Sequence, residues 1–314
     1  MSQRYHVIHE TLYRYAAPVS LSQHLLHLTP RSSEFQQVQH HQIEVSPGVA
    51  EQLRHVDWFG NACEWLAVRQ MHEVLRLIAA STVEVRPGPE AWCKAPGIAW
   101  EDVAAMLAAF PARAPLNAQE FALVSPQVPQ LEEVRLWAQA SFTPRRPLLE
   151  ATRHLMQRIW REFEFDPKAS TVSTPVAEIF QRRRGVCQDF SQLMISALRS
   201  LGLSARYVSG YILTHPAPGK PRLIGADASH AWVQVWCPEN GWVGFDPTNN
   251  LQPDLEHVIL GWGREFSDVT PMRGVILGGA SHKVEVHVTV MPVELHDFAK
   301  LLRDVRERDL TPED

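Results

Sequence analysis

The spacing of apolar and polar positions divides the chain into stretches of different period. Arg4–Tyr15 alternates with a period of two, with Tyr5, Val7 and His9 on one face and Leu12 after them. Val38–Val45 and Val74–Val85 are also rich in β-branched and apolar residues at two-residue spacing. Turn chemistry separates these runs at Ser46-Pro47-Gly48 and Phe59-Gly60-Asn61. Short strands punctuated in this way predict an antiparallel, sandwich-like β domain over residues 1–86. Between 87 and 130, prolines at 87, 89, 96, 111, 115, 126 and 129 interrupt regular structure. That segment predicts a surface connector carrying one short helix, Glu101–Phe110.

The period then changes to 3.6. Leu131–Ser141 and Leu148–Phe163 predict helices, the second with Leu148, Leu155, Ile159 and Phe163 near helical spacing. Lys283–Val290 alternates again, with Val284, Val286, Val288 and Val290 on one face, and predicts a half-buried strand. The remainder, 294–314, is a charged tail that predicts a surface helix fraying into a disordered end.

From Val186 a helical pattern runs to Leu201, where Gly202 supplies a stop. Its apolar stripe is Phe190, Leu193, Met194, Ala197, Leu198 and Leu201, and Cys187 lies on that stripe in the first turn. Unpaired N–H groups and the positive end of the helix dipole favour a thiolate there, and the same N–H groups can receive an oxyanion. A small buried hydrophobe is the competing reading, and this segment alone decides nothing between them.

A thiol nucleophile needs a base. Ser229–Trp236 alternates clearly, with His230, Trp232, Gln234 and Trp236 on one face and Ala231, Val233 and Val235 on the other. After Pro238-Glu239-Asn240-Gly241 the return strand is Trp242–Asp246. Parity makes this hairpin a test. A tight Asn240-Gly241 turn would pair Glu239 with Trp242 and send His230 and Asp246 to opposite faces. A five-residue loop, Cys237–Gly241, pairs Trp236 with Trp242 and makes Asp246 a same-face diagonal neighbour of His230, within side-chain reach. A surface hairpin with an incidental His and Asp is the alternative.

Composition narrows the function. The 314 residues are 45% hydrophobic and 21% charged, which describes a globular chain. The net charge of −5 argues against a nucleic-acid or anionic-membrane partner. No apolar run reaches spanning length and no signal peptide is evident, so a cytoplasmic location with reduced thiols is expected. Four cysteines, Cys63, Cys93, Cys187 and Cys237, with no CxxC pair, suit neither a disulfide framework nor a structural zinc site. Cys63, Cys93 and Cys237 are expected to pack. His24/His27 and His40/His41 read as surface polar groups, so no metal and no cofactor is expected.

Together, Gly185-x-Cys187-Gln188-Asp189-Phe190, Leu201–Tyr211, Ser229-His230-Ala231-Trp232 and Gly244-Phe245-Asp246-Pro247-Thr248-Asn249 resemble the bacterial transglutaminase-like family, whose members include proteins described as cysteine proteases. Tyr13-x-Tyr15, Leu28-x-Pro30-Arg31 and Asp57-x-Phe59-Gly60-Asn61 resemble its N-terminal β module, and Asp268–Gly274 its segment after the core. The resemblance implies an α+β fold. A papain-like, transglutaminase-like core, with a cysteine at a helix N-terminus against an antiparallel sheet, would follow the β-sandwich-like domain. The divisions are then 1–86, 87–130, a catalytic core at 131–293 and the tail at 294–314.

The resemblance also implies Cys187 as nucleophile, His230 as base and Asp246 as the residue orienting His230. The expected reaction is hydrolysis of a carboxamide or peptide bond through an acyl-thioester, with a peptide or protein as substrate. Transfer to an amine, as in a protein-glutamine transglutaminase, is the first alternative. A non-catalytic peptide-binding protein is the second. Trp160, upstream of Cys187, is assigned to packing rather than to an oxyanion role. Gln188 and Asp189 are assigned to capping the helix, and Asp227 either to support of His230 or to a loop. Oligomeric state is not readable from the sequence.

Overall fold

The computed structural model describes residues 2–88, 97–109, 114–215, 223–225 and 227–308. In chain order the strands of the first region are β1 (Gln3–Leu26), β2 (Gln36–Ser46), β3 (Glu51–Val56), β4 (Ala62–Val68) and β5 (His72–Val85). Helices α1 (Trp100–Ala108), α2 (Leu116–Glu120), α3 (Glu132–Gln139) and α4 (Leu148–Glu162) follow. After them come β6 (Glu164–Phe165), α5 (Val176–Arg182), β7 (Arg184–Gly185) and α6 (Cys187–Ser200). The chain continues through β8 (Ala205–Ile212), β9 (Ser229–Cys237), β10 (Gly241–Phe245) and β11 (His257–Gly263). It closes with β12 (Met272–Gly278), β13 (His282–Pro292) and α7 (Phe298–Arg306).

The β-rich region is one seven-stranded antiparallel sheet organised around the long β1. The first half of β1 pairs with β5 and β13, and its second half with β4 and β12. The sheet encloses its own core of Tyr15, Val19, Leu26, Leu66, Leu75 and Leu77, which gives the sandwich-like character expected from the alternation. Two of its strands, β12 and β13, come from the far end of the chain. The sequence division at 131–293 had grouped them with the catalytic core. Local alternation identifies a strand but not its partner, because a period of two is equally satisfied in either sheet.

The second region is α+β. A four-stranded antiparallel sheet, ordered β10-β9-β8-β11, packs against α6. Val233 and Val235 of β9 and Val243 and Phe245 of β10 join Leu193, Met194 and Leu198 of α6 in one core. Helix α6 is buried from Asp189 to Arg199 on every side, since α3 and α5 cover the face away from the sheet. Arg199 is fully buried there, and its guanidinium donates to the carbonyls of Phe121, Ala205 and Arg264 and to Ser125 Oγ.

The connector is less superficial than its prolines suggest. Val103 and Leu107 of α1, Ala118 of α2 and Val128 are buried in this same core. The positions 103 and 107 form an i, i+4 pair that one helix face can bury. The tail also differs from a simple surface helix. Leu301, Leu302 and Val305 of α7 are buried against Ile8, Ile78 and Met291 of the seven-stranded sheet. Asp297 caps α7 by accepting from Lys300 N at 2.9 Å, and Arg76 Nη1 and Nη2 donate to the carbonyls of Arg306 and Val305 at its other end. The expected disordered end falls on 309–314, outside the described residues, as does Cys93.

The two regions meet through a shared apolar layer. Tyr5, Val7, Val83 and Val290 of the large sheet pack on Tyr211, Val258 and Leu260 of the small one. Tyr211 Oη lies 2.9 Å from His9 Nδ1 across that layer.

Candidate active site

The helix around Cys187 forms where its sequence pattern places it. Val186 is extended and caps the helix, Cys187 is its first residue, and Leu201 is its C-cap. Gly202 follows with φ +76°, the left-handed conformation that ends helices and that glycine adopts without strain. Asp189 reaches back to accept from Val186 N at 2.8 Å and also accepts from Ser170 Oγ. This is half of a capping box, since Val186 has no side-chain acceptor to return. Gln188 donates to Val172 O at 3.1 Å rather than to the helix end.

The hairpin of β9 and β10 takes the wider register. Trp236 opposes Trp242, as the five-residue loop requires, and one further pair, Cys237 with Gly241, closes the turn to Pro238–Asn240. Ladder pairing ends at Phe245 opposite Val233. Asp246 then turns away to bridge Leu251. This turn aims its carboxylate at the imidazole of His230, with Nε2 2.7 Å from Oδ2. Asp246 is fully buried and His230 nearly so.

The carboxylate is closely held. Asn249 Nδ2 donates to Oδ2 at 2.8 Å, and the backbone N–H groups of Thr248 and Asn249 donate to Oδ1 at 2.9 and 3.1 Å. A carboxylate can only accept, so His230 Nε2 carries the hydrogen and Nδ1 is the nitrogen left to face Cys187. Burial alone would lower the pKa of His230. Hydrogen bonding to Asp246 and Cys187, with the charges of both, overcomes it and pushes the value up to about 10. Burial opposes ionisation of Asp246, and its bonds to His230, His257 and Asn249 outweigh that and hold it well below the usual carboxylate range.

Three residues predicted separately are therefore brought together: Cys187 at the helix start, His230 on β9 and Asp246 after β10. Two neighbours were not singled out. Asn249 was read only as turn chemistry, although its place three residues after Asp246 is the spacing at which an Asx-type turn folds back. His257, on β11, lies with Nε2 3.5 Å from Asp246 Oδ2 and Nδ1 3.4 Å from Asp254 Oδ1. Burial lowers its pKa, and Asp246 and Asp254 more than restore it, so the net direction is upward. Nothing local in the sequence marks His257, since its partner becomes a neighbour only when β11 docks beside β8.

Other expectations meet mixed outcomes. Trp160 is 52% exposed, so it does not pack in the core. Asp227 supports the join between the two sheets instead of His230: its carboxylate accepts from Thr214 N and Val290 N. Cys63 and Cys237 are buried free thiols, while Cys187 is half-buried. Trp232 is buried and its ring stacks 6.0 Å from that of His230.

Among the described residues, two groups of side chains have donor atoms close enough to share a metal, within 4.8 Å of one another: His230, Asp246 and His257, and, in the β-rich region, His27, Asp57 and Cys63. In the first, Asp246 is already engaged by four hydrogen bonds. In the second, both Asp57 oxygens accept from Asn61 and His27 Nδ1 lies 3.0 Å from Thr270 O. Several of these atoms are thus engaged in hydrogen bonds within the protein, while His257 Nε2 has no hydrogen-bond partner among the described residues. His24, His40 and His41 belong to neither. No helix of the described residues is long and apolar enough to cross a membrane.

Comparison with known proteins identifies the family and the fold. Residues 5–84 match the profile of the bacterial transglutaminase-like N-terminal region, and residues 137–247 match that of the transglutaminase-like superfamily. An uncharacterized protein of Mycobacterium tuberculosis is 40% identical over 301 residues, covering 93% of this chain and 94% of its own length. A protein-glutamine gamma-glutamyltransferase of Pseudomonas aeruginosa is 31% identical over 134 residues, 38% of this chain and 20% of that protein. The crystal structure titled "Putative Cysteine Protease" from Cytophaga hutchinsonii superposes with a TM-score of 0.73 at 16% identity, covering 99% of this chain and 93% of that one. The chain belongs to the bacterial transglutaminase-like family, with that family's N-terminal region followed by its transglutaminase-like core.

Proposed function

We propose that the chain is a thiol enzyme that opens carboxamide or peptide bonds through Cys187, His230 and Asp246. The observation that carries this reading is the buried 2.7 Å contact of His230 with Asp246, beside a half-buried cysteine at a helix N-terminus. In the resting pair His230 already holds the thiol proton at Nδ1, and the Cys187 thiolate attacks the carbonyl carbon. The C–S bond forms, and the carbonyl electron pair moves to oxygen, stabilised by the Cys187 N–H at the helix start. Collapse breaks the C–N bond, and His230 returns the proton to the departing amine. Asp246 keeps the ring in one tautomer throughout. Water then attacks the thioester, His230 accepts its proton, and the acid and free thiol are released.

Water is the acceptor in this reading, with a peptide or protein as the substrate. No feature of the described residues specifies an amine channel that would shield the thioester from water. The name of the Pseudomonas relative favours a second reading, in which a lysine or another amine takes the acyl group. Both need a free thiol, which suits a reducing compartment such as the cytoplasm.

Treatment with iodoacetamide near neutral pH, followed by peptide mapping, tests the first step. Labelling concentrated on Cys187 and lost in His230→Ala supports the reading. Labelling of Cys187 no faster than that of Cys63, Cys93 or Cys237 would overturn it. Peptide cleavage run beside amine incorporation then separates the two acceptors.

A further inference from the structure

A cavity of about 330 Å³ lies between the two regions, on the face of the small sheet away from α6. Its size falls at the low end of small-molecule sites, about 300–1,000 Å³. Phe35 and Gln36 of the β-rich region form one side, and Trp232, Trp242 and Trp262 form much of the other. Cys187 does not line it; His257, which neighbours Asp246, does.

The guanidinium of Arg206 stands in this aromatic setting with little to balance it. Its Cζ lies 4.1 Å from the ring centroid of Trp242 and 3.7 Å from that of Trp262, so both faces of the plane are covered. The side chain is 6% exposed. Nε donates to Gln234 Oε1 at 2.9 Å. Among the described residues no other hydrogen bond reaches the Arg206 side chain and no carboxylate stands at ion-pair distance from it. The charged groups at the cavity mouth, Glu34, Arg86 and Asp254, are exposed, and the last two have partners of their own in Glu84 and His257.

The contrast with Arg31 is instructive. Arg31 stacks on the far side of Trp262 at 3.6 Å, but its edge is used: Nη1 donates to Phe59 O and Asn61 Oδ1, and Asp57 lies near enough to favour its charge. Arg206 is more deeply buried and is stacked between two indoles, without those acceptors. Burial, with the like charge of Arg31, disfavours its ionised form, a cost that a bound anion offsets. A guanidinium whose faces are stacked presents only its edge, and that edge matches the two oxygens of a carboxylate.

We propose that this cavity is a ligand site, separate from the thiol, for a small carboxylate with a flat apolar body. The carboxylate meets the Nη edge of Arg206, and the body lies along the indoles of Trp232, Trp242 and Trp262. The occupant also touches His257, so the site adjoins the Asp246 end of the catalytic group and not the cysteine end.

The test is titration of the full-length protein with phenylacetate, indole-3-acetate and N-acetylphenylalanine, each beside its neutral carboxamide, followed by tryptophan fluorescence and calorimetry. Saturable binding at one site per chain is expected for at least one acid, with its amide at least tenfold weaker. Arg206→Gln should bring the acid down to the affinity of the amide, and Cys187→Ser should leave binding unchanged. Absence of saturable binding by every acid overturns the proposal, as does equal binding of acid and amide. Loss of binding in Cys187→Ser would place the ligand at the thiol and also overturn it. Should Arg206→Gln fail to fold, the acid–amide comparison on the unaltered protein still decides. None of these outcomes depends on catalysis, so failure of the thiol reading and failure of this one are distinguishable.

Discussion

Asp246→Asn should cost the protein more stability at pH 6.5 than at pH 9, and the difference follows from His230. In the folded protein the imidazole holds its proton up to about pH 10, against an ordinary value of 6.5. A histidine with a raised folded-state pKa stabilises fully below its unfolded value, and that contribution is lost as pH rises toward the folded value. Between pH 6.5 and 9 the folded chain keeps a proton that the unfolded chain releases, so this group lowers stability by roughly 1.4 kcal/mol per pH unit, about 3 kcal/mol in all. Without the carboxylate, burial acts against the charged imidazole with its largest support gone, and the slope it contributes falls. The substitution also turns an amide donor toward the N–H groups of Thr248 or Asn249, or toward His230, which costs about 1–3 kcal/mol at either pH. Denaturant unfolding of both proteins at pH 6.5 and 9 measures the difference directly. His27, raised to about 9 beside Asp57 and Cys63, titrates in the same range, but it does so equally in both proteins and cancels. A substitution cost that is the same at the two pH values would refute the assignment of a charged, carboxylate-bound His230.

Three further outcomes can be checked. Asn249→Ala removes the side-chain donor at 2.8 Å from Asp246 Oδ2 and should slow alkylation of Cys187 while costing about 1–2 kcal/mol in unfolding experiments. Gly210→Ala would place a Cβ 2.2 Å from Val258 O and 2.6 Å from the Trp232 ring, so thermal unfolding should show a loss of several kcal/mol, on the order of 3, or failure to fold. Leu301→Ala empties a fully buried position where α7 meets the large sheet, and denaturant unfolding should report a loss of about 2–4 kcal/mol.

The parts of the site that were legible in the sequence are those set by local rules. A helix beginning at Cys187 could be read because the apolar stripe and the Gly202 stop all lie within sixteen residues. The register of β9 and β10 could be read because side chains alternate, so a single parity choice decides whether His230 and Asp246 share a face. The structure pairs Trp236 with Trp242 and so takes the choice that lets them meet. What parity could not supply is the last step. Asp246 leaves the ladder, and its approach to His230 depends on the turn through Thr248 and Asn249 rather than on the diagonal spacing of a continued hairpin.

The illegible parts share one physical cause, which is that partners distant in sequence leave no local trace. Val286 and Val288 read as strand residues in either sheet, and only the closed fold shows that they lie beside Thr11 and His9. The same closure sets His257 against Asp246 and Arg206 beside Trp262, although each of these residues alone looks like an ordinary strand position. This bears on how the β-rich region serves the core. Its first strand is clamped by β13, which follows the core in the chain, so the large sheet cannot be completed until the core's connections are made. The cavity walled by Phe35 on one side and Trp232 on the other forms only when both regions are in place. A cut between residues 86 and 131 would therefore leave the N-terminal piece without β12 and β13, and both faces of β1 without their partners Leu260 and Leu301. Separate expression of residues 1–86 should give an unfolded or aggregating fragment by circular dichroism and size-exclusion chromatography. A folded, monomeric fragment would show that β5 and β4 alone suffice to hold β1 and that the two regions are independent.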